Sequence, residues 1–301
     1  PLWALFAALA LNGAGIALPE WLVTVLGTVG RLILLLVIVA LGVLFDARLL
    51  SDGRVLAALA LRIGAGLLLG FCCVWLFDLD NTLHNASHAA FGGIDESMTA
   101  YIVEELGVSP GEAHALRLTY LLRYGATLLG LVRHHGINAA HFLHHTHLLP
   151  GLEGRVHGHP HDFDAIARLP GRKYVLTNAP RAYAHRVLGV LGIGMLFDGV
   201  LSIEDMAMFG HLRPKPDARM LRWIAARLKV PPSRCVLVED TLQHQKSAFS
   251  IGMATVWMQR WTREAQKGRA GSRKVGVYLH RRPAYVCARI FSLRELRRRL
   301  L

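Results

Sequence analysis

Three long apolar runs open the chain, and after them the period of the pattern changes. Residues 1–19 carry no charge, 21–45 carry only Arg31, and 55–77 carry only Arg62. Each run is close to the roughly 20 residues that cross a bilayer as a helix, and their glycine content suits membrane helices better than soluble ones. The pattern predicts about three transmembrane helices near 2–18, 22–45 and 54–72, with "ALPEW" (17–21) as an interfacial turn that sets Trp21 at headgroup depth. From residue 74 onward the apolar runs become short. "VWLF" (74–77), "KYVLT" (173–177), "FDGVLSI" (197–203), "CVLVE" (235–239), "ATVWM" (254–258) and "VCARIFS" (286–292) read as strands. Helical patterns over 181–191, 217–228 and 242–251 fall between them. Strands alternating with helices predict an α/β fold, a parallel sheet with helices on both faces.

About 95 residues separate the first strand from the second, far more than a strand–helix connection needs. This stretch predicts helices over 95–106, 110–124 and 138–149. The middle one starts with Ser109 as N-cap, Pro110 at the first helical position and Glu112 at the third, a capping box. An all-helical insertion at this point predicts a lid that closes over a site and selects what enters it. The expected organisation is a hydrophobic segment over 1–73, a core built from 74–83 and 171–301, and a helical cap over 84–170. After Met258, "QRWTREAQKGRAGSRK" predicts a basic surface loop, followed by a last strand and a short helix within 286–300.

Composition sharpens this division. Hydrophobic residues make up 53% of the chain and charged ones 18%, apolar for a soluble protein. Residues 1–73 hold four Arg, no Lys and three acids, so nearly all of the formal charge of +13 lies further on, much of it between Arg260 and Arg299. A basic balance is compatible with nucleic acid, anionic lipid or phosphorylated small molecules and chooses none of them; the late segment reads as solvated surface, and no specific nucleic-acid partner is expected. The four cysteines, Cys72, Cys73, Cys235 and Cys287, lack metal-site spacing and sit in apolar runs, which predicts buried reduced thiols of a cytosolic compartment and no disulfide framework. His141 and His145 form an i, i+4 pair and "HGHPH" (157–161) alternates three histidines, but no acid or Cys stands at ligand spacing beside them. They are read as solvated or packing side chains.

The candidate chemistry lies where the strands end. Asp78 and Asp80 follow the first strand, Thr177 and Asn178 end the second, Glu239 and Asp240 end "CVLV", and Lys215 stands in "RPKPD" before a helix. In a parallel sheet those ends share one edge, where ligands bind. Carboxylates gathered there repel one another, and a hard divalent cation such as Mg²⁺ relieves the repulsion through oxygen ligands. One carboxylate can then attack phosphorus, and another two residues on can protonate the leaving alkoxide and later activate water. A Thr hydroxyl and a Lys ammonium suit the charge that develops on the transferring oxygens.

"DLDNT", "TNA", "KPD" and "VED", in this order, resemble the haloacid dehalogenase superfamily of phosphatases. The resemblance implies a Rossmann-like parallel sheet with a helical cap of the C1 type. It implies Asp78 as nucleophile, Asp80 as acid and base, Thr177, Asn178 and Lys215 on phosphate, and Mg²⁺ held by Asp78, Asp80, Glu239 and Asp240. The second acid, Asp80, separates the chain from the superfamily's true dehalogenases, and His244 stands where some members have an Asp. "MTAYIVEELGV", "YLLRYGATLLGLVRHHGIN", "FLHHTH" and "LPGRKYVLTNAPRAYAHRVLGVLGI" are similar to the pyrimidine 5′-nucleotidase subfamily, a likeness that spans 74–258. That likeness implies hydrolysis of pyrimidine nucleoside monophosphates, and Arg123, Tyr124, Thr127, His134 and His135 are the lid residues expected to face substrate. The alternatives are a phosphatase or mutase for another small phosphometabolite, and a membrane transport or anchoring fusion with a passive catalytic domain. The first alternative shares the site; the second rests on "LNGAGIALPEWL" and "LLLVIVALGVLFDARLL", which resemble the last helices of auxin-efflux-carrier transporters. With only Cys72 and Cys73 left as connector, the junction fits either a tightly docked fusion or two joined reading frames. A fusion would place the catalytic domain in the cytoplasm, attached to the inner or plasma membrane by residues 1–73.

Overall fold

A computed structural model of the chain describes residues 73–267 and 282–300. Its centre is β1 (Val74–Phe77), whose four residues are all buried. β1 pairs in parallel with β2 (Arg172–Leu176) on one side and with β6 (Cys235–Glu239) on the other, Val74 standing opposite both Arg172 and Cys235. The sheet extends to β3 (Gly199–Leu201) beyond β2, and to β7 (Ala254–Met258) and β8 (Ala288–Ile290) beyond β6, giving the order β3-β2-β1-β6-β7-β8. Every pairing in it is parallel. A separate antiparallel hairpin joins β4 (Ala207–Met208) to β5 (His211–Leu212).

The two-residue period of the strands divides the interior in two. Trp75 and Phe77 turn to one face with Val175, Val236, Val238 and Val256, where Tyr183, Ala184, Val187 and Leu188 of α7 (Arg181–Leu191) cover them. Val74 and Leu76 turn to the other with Leu176, Cys235 and Leu237, under Met220, Leu221, Ile224 and Ala225 of α8 (Ala218–Arg227) and Ala248 of α9 (Leu242–Ser250). Each buried aliphatic or aromatic side chain is worth about 1.5–3 kcal/mol of transfer free energy. A strand that is apolar on both faces is therefore forced to the middle, which explains why β1 and β6 read as unbroken hydrophobic runs.

Between β1 and β2 stand α1 (Ala86–Ala89), α2 (Phe91–Leu106), α3 (Pro110–Tyr124), α4 (Thr127–His135), α5 (Ala139–Thr146) and α6 (Pro160–Ala167). The insertion has its own core of Tyr101, Ile102, Ala113, Tyr120, Leu128, Leu131, Phe142 and Leu143, which Ile203 joins from the turn after β3. The capping box expected at α3 is formed, with Ser109 accepting from the Glu112 backbone and the Glu112 carboxylate accepting from the Ser109 backbone. Two glycines are required here. Gly125 ends α3 at φ 80°, and a Cβ on it would lie 3.3 Å from the Pro216 ring; a Cβ on Gly130 would lie 2.1 Å from Cγ of Tyr120, so α3 and α4 touch through that gap.

Several expectations are corrected. The loop expected after Met258 begins as a helix, α10 (Arg260–Lys267), because Trp261 is buried and stacks on His159 while Arg260 binds the buried Asp162. These are long-range anchors that the polar local sequence hides. The helix expected over 138–149 ends at Thr146, α4 and α6 lie outside the helices expected, and the strand expected over 197–203 keeps three residues. Cys287 is exposed rather than buried, Cys73 is partly buried, and Cys235 alone of the described cysteines is buried; all three are free. The chain closes with α11 (Glu295–Leu300). Among the described residues no helix is long and apolar enough to cross a membrane. The three spans expected over 2–18, 22–45 and 54–72 lie outside the described residues.

Candidate active site

The carboxyl edge of the sheet gathers the polar residues of four distant segments. Asp78 leaves β1 with its amide on the Val238 carbonyl at 2.9 Å, and Thr177 leaves β2 with its amide on the Leu201 carbonyl at 2.9 Å. The turn after β1 is held by Asn81 in the left-handed region (φ 57°), whose side chain accepts from the Ser87 amide and donates to the Ser87 hydroxyl. Lys215 reaches in from the segment before α8. Its Nζ lies 2.6 Å from Oδ1 of Asp78 and 2.7 Å from Oε2 of Glu239, and the ammonium is buried. Oδ2 of Asp78 accepts from the Thr82 hydroxyl at 3.1 Å, and Oε1 of Glu239 accepts from the Thr241 amide at 3.1 Å. The Thr177 hydroxyl accepts from the Ala179 amide at 3.0 Å.

The charges are unequal neighbours. Burial pushes the Asp78 carboxyl up, and the charge of Glu239 adds to this against the pull of Lys215. Burial also acts on Glu239, but Lys215 and His244 outweigh it and hold that carboxyl well below the usual range. Asp240 is pushed up by burial and by the charges of Glu239 and Asp78. Burial alone would lower Lys215; the two acids on it more than offset that and hold its ammonium above its ordinary value. Asp78, Glu239 and Asp240 each offer an oxygen within 4.8 Å of the others. An all-oxygen donor set with two carboxyls displaced upward is short of positive charge, which fits a hard divalent cation.

The acidic trio does not include the Asp80 side chain. Oδ1 of Asp80 accepts from the Tyr183 hydroxyl at 2.8 Å and lies 3.0 Å from Nε2 of His84, so its carboxylate is tied to the protein. Asn178 is held by the lysine segment. Its amide donates to the Lys215 carbonyl and accepts from the Lys215 amide, both at 2.9 Å, so it clamps the lysine segment rather than offering donors to the cleft. His244 places Nδ1 3.1 Å from Oε2 of Glu239. Asp240 is fixed from behind: its carbonyl accepts from Trp257 Nε1 at 2.8 Å and its carboxylate from the Thr262 hydroxyl at 3.1 Å.

Above this floor lies a cleft of about 410 Å³, reached by Asp78, Asp80, Thr177, Asn178, Lys215, Glu239 and Asp240. The insertion supplies a mainly apolar roof, with Phe91, Ile94, Met98, Leu118, Leu121, Leu128 and Phe142, and with Arg117 and Asp95 as a charged pair. Of the five lid residues expected to face substrate, Thr127 alone lines this cleft. Tyr124 bonds His134 at 2.6 Å and Tyr120 bonds His135 at 2.7 Å, so Tyr124, His134 and His135 serve the α3–α4 contact, while Arg123 lies over the ring of its neighbour Tyr124 on α3. His141 bonds the Tyr101 hydroxyl at 2.7 Å and its ring sits 4.2 Å from the His145 ring. Among the described residues, the only group that could hold a metal is the acidic trio.

Sequence reasoning missed His84, Tyr183, Arg117 and Asp95. His84 carried a usable signal, being four residues after Asp80 in the same turn. Tyr183 is 103 residues from its partner and gave none.

The profile of the haloacid dehalogenase-like hydrolases matches residues 74–249. Phosphate metabolism protein 8 of Saccharomyces cerevisiae is 26% identical over 197 residues, 61% of this chain and 60% of that protein, so the match spans three-fifths of that relative's length. Among solved structures, a HAD phosphatase from Thermococcus onnurineus has a TM-score of 0.48 at 20% identity, covering 75% of this chain and 96% of that one. The HAD-hydrolase YfnB from Bacillus subtilis has a TM-score of 0.47 at 16% identity, covering 76% and 98%.

Proposed function

The chain belongs to the haloacid dehalogenase-like hydrolases, and on that premise we propose that it is a phosphatase, cleaving phosphomonoesters through an aspartyl-phosphate. The observation that carries this reading is the floor itself: Asp78 bound by Lys215, beside Glu239 and Asp240, with Asp80 two residues on at the same cleft.

In the first step an oxygen of Asp78 bonds to phosphorus, the ester P–O bond breaks, and the departing alkoxide takes a proton from Asp80. In the second step water attacks the same phosphorus and gives a proton to Asp80, while the bond to Asp78 breaks. Ester and water thus become alcohol and phosphate, and both acids are restored. Thr177 and Lys215 stabilise the phosphoryl oxygens as charge grows on them. Asp78, Glu239 and Asp240 would hold Mg²⁺, which when bound neutralises the acids and draws charge from the phosphoryl group. A dehalogenase reading leaves Asp80 unused, because a departing halide needs no proton.

For substrate, the lid motif favours pyrimidine nucleoside 5′-monophosphates. A cleft of about 410 Å³ with an apolar roof and one Arg–Asp pair suits a flat, partly polar body joined to a phosphate. The segment 84–170 is the cap that selects it. The test is phosphate release by the full chain with Mg²⁺, on nucleoside monophosphates and sugar phosphates. UMP or CMP should turn over best, with loss of at least about 10³-fold in Asp78→Asn and abolition by chelator. Equal turnover of sugar phosphates would defeat the pyrimidine reading, and phosphate transfer without net release would point to a mutase.

A further inference from the structure

General acid catalysis needs one proton on one oxygen, and a free carboxyl group offers two. At Asp80 the surroundings of the two oxygens differ. Oδ1 receives the Tyr183 hydroxyl at 2.8 Å and stands 3.0 Å from His84 Nε2, whereas Oδ2 makes no hydrogen bond to the described residues. Neither partner can easily turn away. Tyr183 is 1% exposed, in the first turn of α7 against the sheet, and the His147 ring meets its ring edge-on at 5.6 Å. His84 is fully buried, and its Nδ1 has no hydrogen-bond partner. A proton on that nitrogen would be a buried donor with no acceptor, so the ring carries its hydrogen on Nε2, aimed at Asp80.

From this geometry we infer that His84 and Tyr183 are positioning residues that reserve Oδ1 of Asp80, so that Oδ2 alone carries the proton to the leaving group and takes it back from water. The inference rests on the phosphatase reading above. An oxygen accepting two hydrogen bonds is a poor place for a proton, and a carboxylate gripped by one oxygen cannot rotate the other away from the cleft. The proton is therefore presented at a fixed place at every turnover, the kind of alignment on which general acid catalysis depends. The two grips come from different parts of the chain, His84 from the turn after β1 and Tyr183 from the helix after β2. His147, at the end of α5, links the second grip to the insertion.

A role of this kind is read in the leaving group. The full chain and its Tyr183→Phe, His84→Gln and His84→Leu variants are compared on p-nitrophenyl phosphate, whose phenolate departs without a proton, and on a nucleoside 5′-monophosphate, whose alkoxide needs one. Tyr183→Phe and His84→Leu should lower kcat on the nucleotide about 10–100-fold and on the aryl ester less than about 3-fold. His84→Gln, which can return an N–H to Oδ1, should recover much of the loss. In an Asp80→Asn background Tyr183→Phe should cost nothing further. Equal losses on both esters, or undiminished nucleotide turnover in Tyr183→Phe and His84→Leu, would overturn the inference and leave the phosphatase reading intact. No phosphate release from any ester by the unaltered chain would overturn both. Should Tyr183→Phe fail to fold, the His84→Gln and His84→Leu pair decides between these outcomes.

Discussion

The floor of the cleft and its roof are built by opposite rules. On the floor the contacts that tie one segment to another span long stretches of sequence: Lys215 to Asp78 across 137 residues, Asp80 to Tyr183 across 103, and the Lys215 backbone to Asn178 across 37. In the roof the polar contacts named above stay within the insertion, Tyr120 with His135, Tyr124 with His134, Tyr101 with His141, Arg117 with Asp95, and the surface turned to the cleft is mostly apolar. A floor cross-linked through long-range charge contacts fixes atoms in place, as bond making requires. A roof that touches its contents through dispersion and burial is tolerant of shape, so one chemistry can be kept while the choice of substrate changes.

The sharpest way to break this contrast is Lys215→Met. It leaves Asp78 and Glu239 buried and facing each other without their cation, so it should cost about 3–5 kcal/mol in urea unfolding and also abolish turnover. Next is Asn178→Ala, which strips two hydrogen bonds from the Lys215 backbone. Here about 1–3 kcal/mol should be lost, with a fall in kcat and little change in KM, because the lysine is displaced rather than removed. A roof change should look different. Leu118→Ala with Leu121→Ala, both about half exposed where they line the cleft, should raise KM about 5-fold, near 1 kcal/mol of lost burial, with kcat nearly unchanged. A drop in kcat as large as the rise in KM would mean that the roof also aligns the reacting atoms.

Those two rules also decide what the sequence discloses. Floor residues follow directly after apolar strands, so the strand pattern alone carries Asp78, Thr177, Glu239 and Asp240 to one edge. In the roof the helices are legible but their rotation is not. Arg117 and Arg123 sit on the same helix, six residues apart, and at 100° per residue they point about 120° from each other. Only the packing of α3 on α4 through Gly130 selects Arg117 for the cleft and gives Tyr124 to His134. Nothing in "TNA" reveals that the Asn178 amide meets a backbone 37 residues later. Helix α10 was unreadable for a related reason: its stability comes from Trp261 and Arg260, whose partners His159 and Asp162 lie about 100 residues earlier.

Smaller effects refine the comparison. Ser109→Ala removes the capping box of an exposed roof helix and should cost about 1 kcal/mol without altering kcat or KM. His147 sits where the two regions meet, and burial lowers its imidazole pKa below the ordinary value, against the opposing pull of Asp80. A group whose folded-state pKa is depressed in this way favours folding most when neutral. Its contribution is present above the ordinary histidine range and is lost as pH falls through that range toward the folded value. The melting temperature should therefore decline less steeply from pH 7.5 to 5 in His147→Gln than in the unaltered chain, and identical slopes would show that the ring titrates freely.

The grip on Asp240 bears on where this chain can be cut. The family profile ends at residue 249, but Trp257 and Thr262 lie beyond that point and hold the Asp240 carbonyl and carboxylate. Asp162 of the insertion is likewise fastened to Arg260, to the Ser292 hydroxyl and to the Leu293 amide at 2.9 Å. A fragment trimmed to the recognisable motifs would retain every residue that the resemblance names, yet it would lose the bracing that keeps one carboxylate of the acidic trio in place. The shortest working piece is set by those ties, and it runs at least to Leu293.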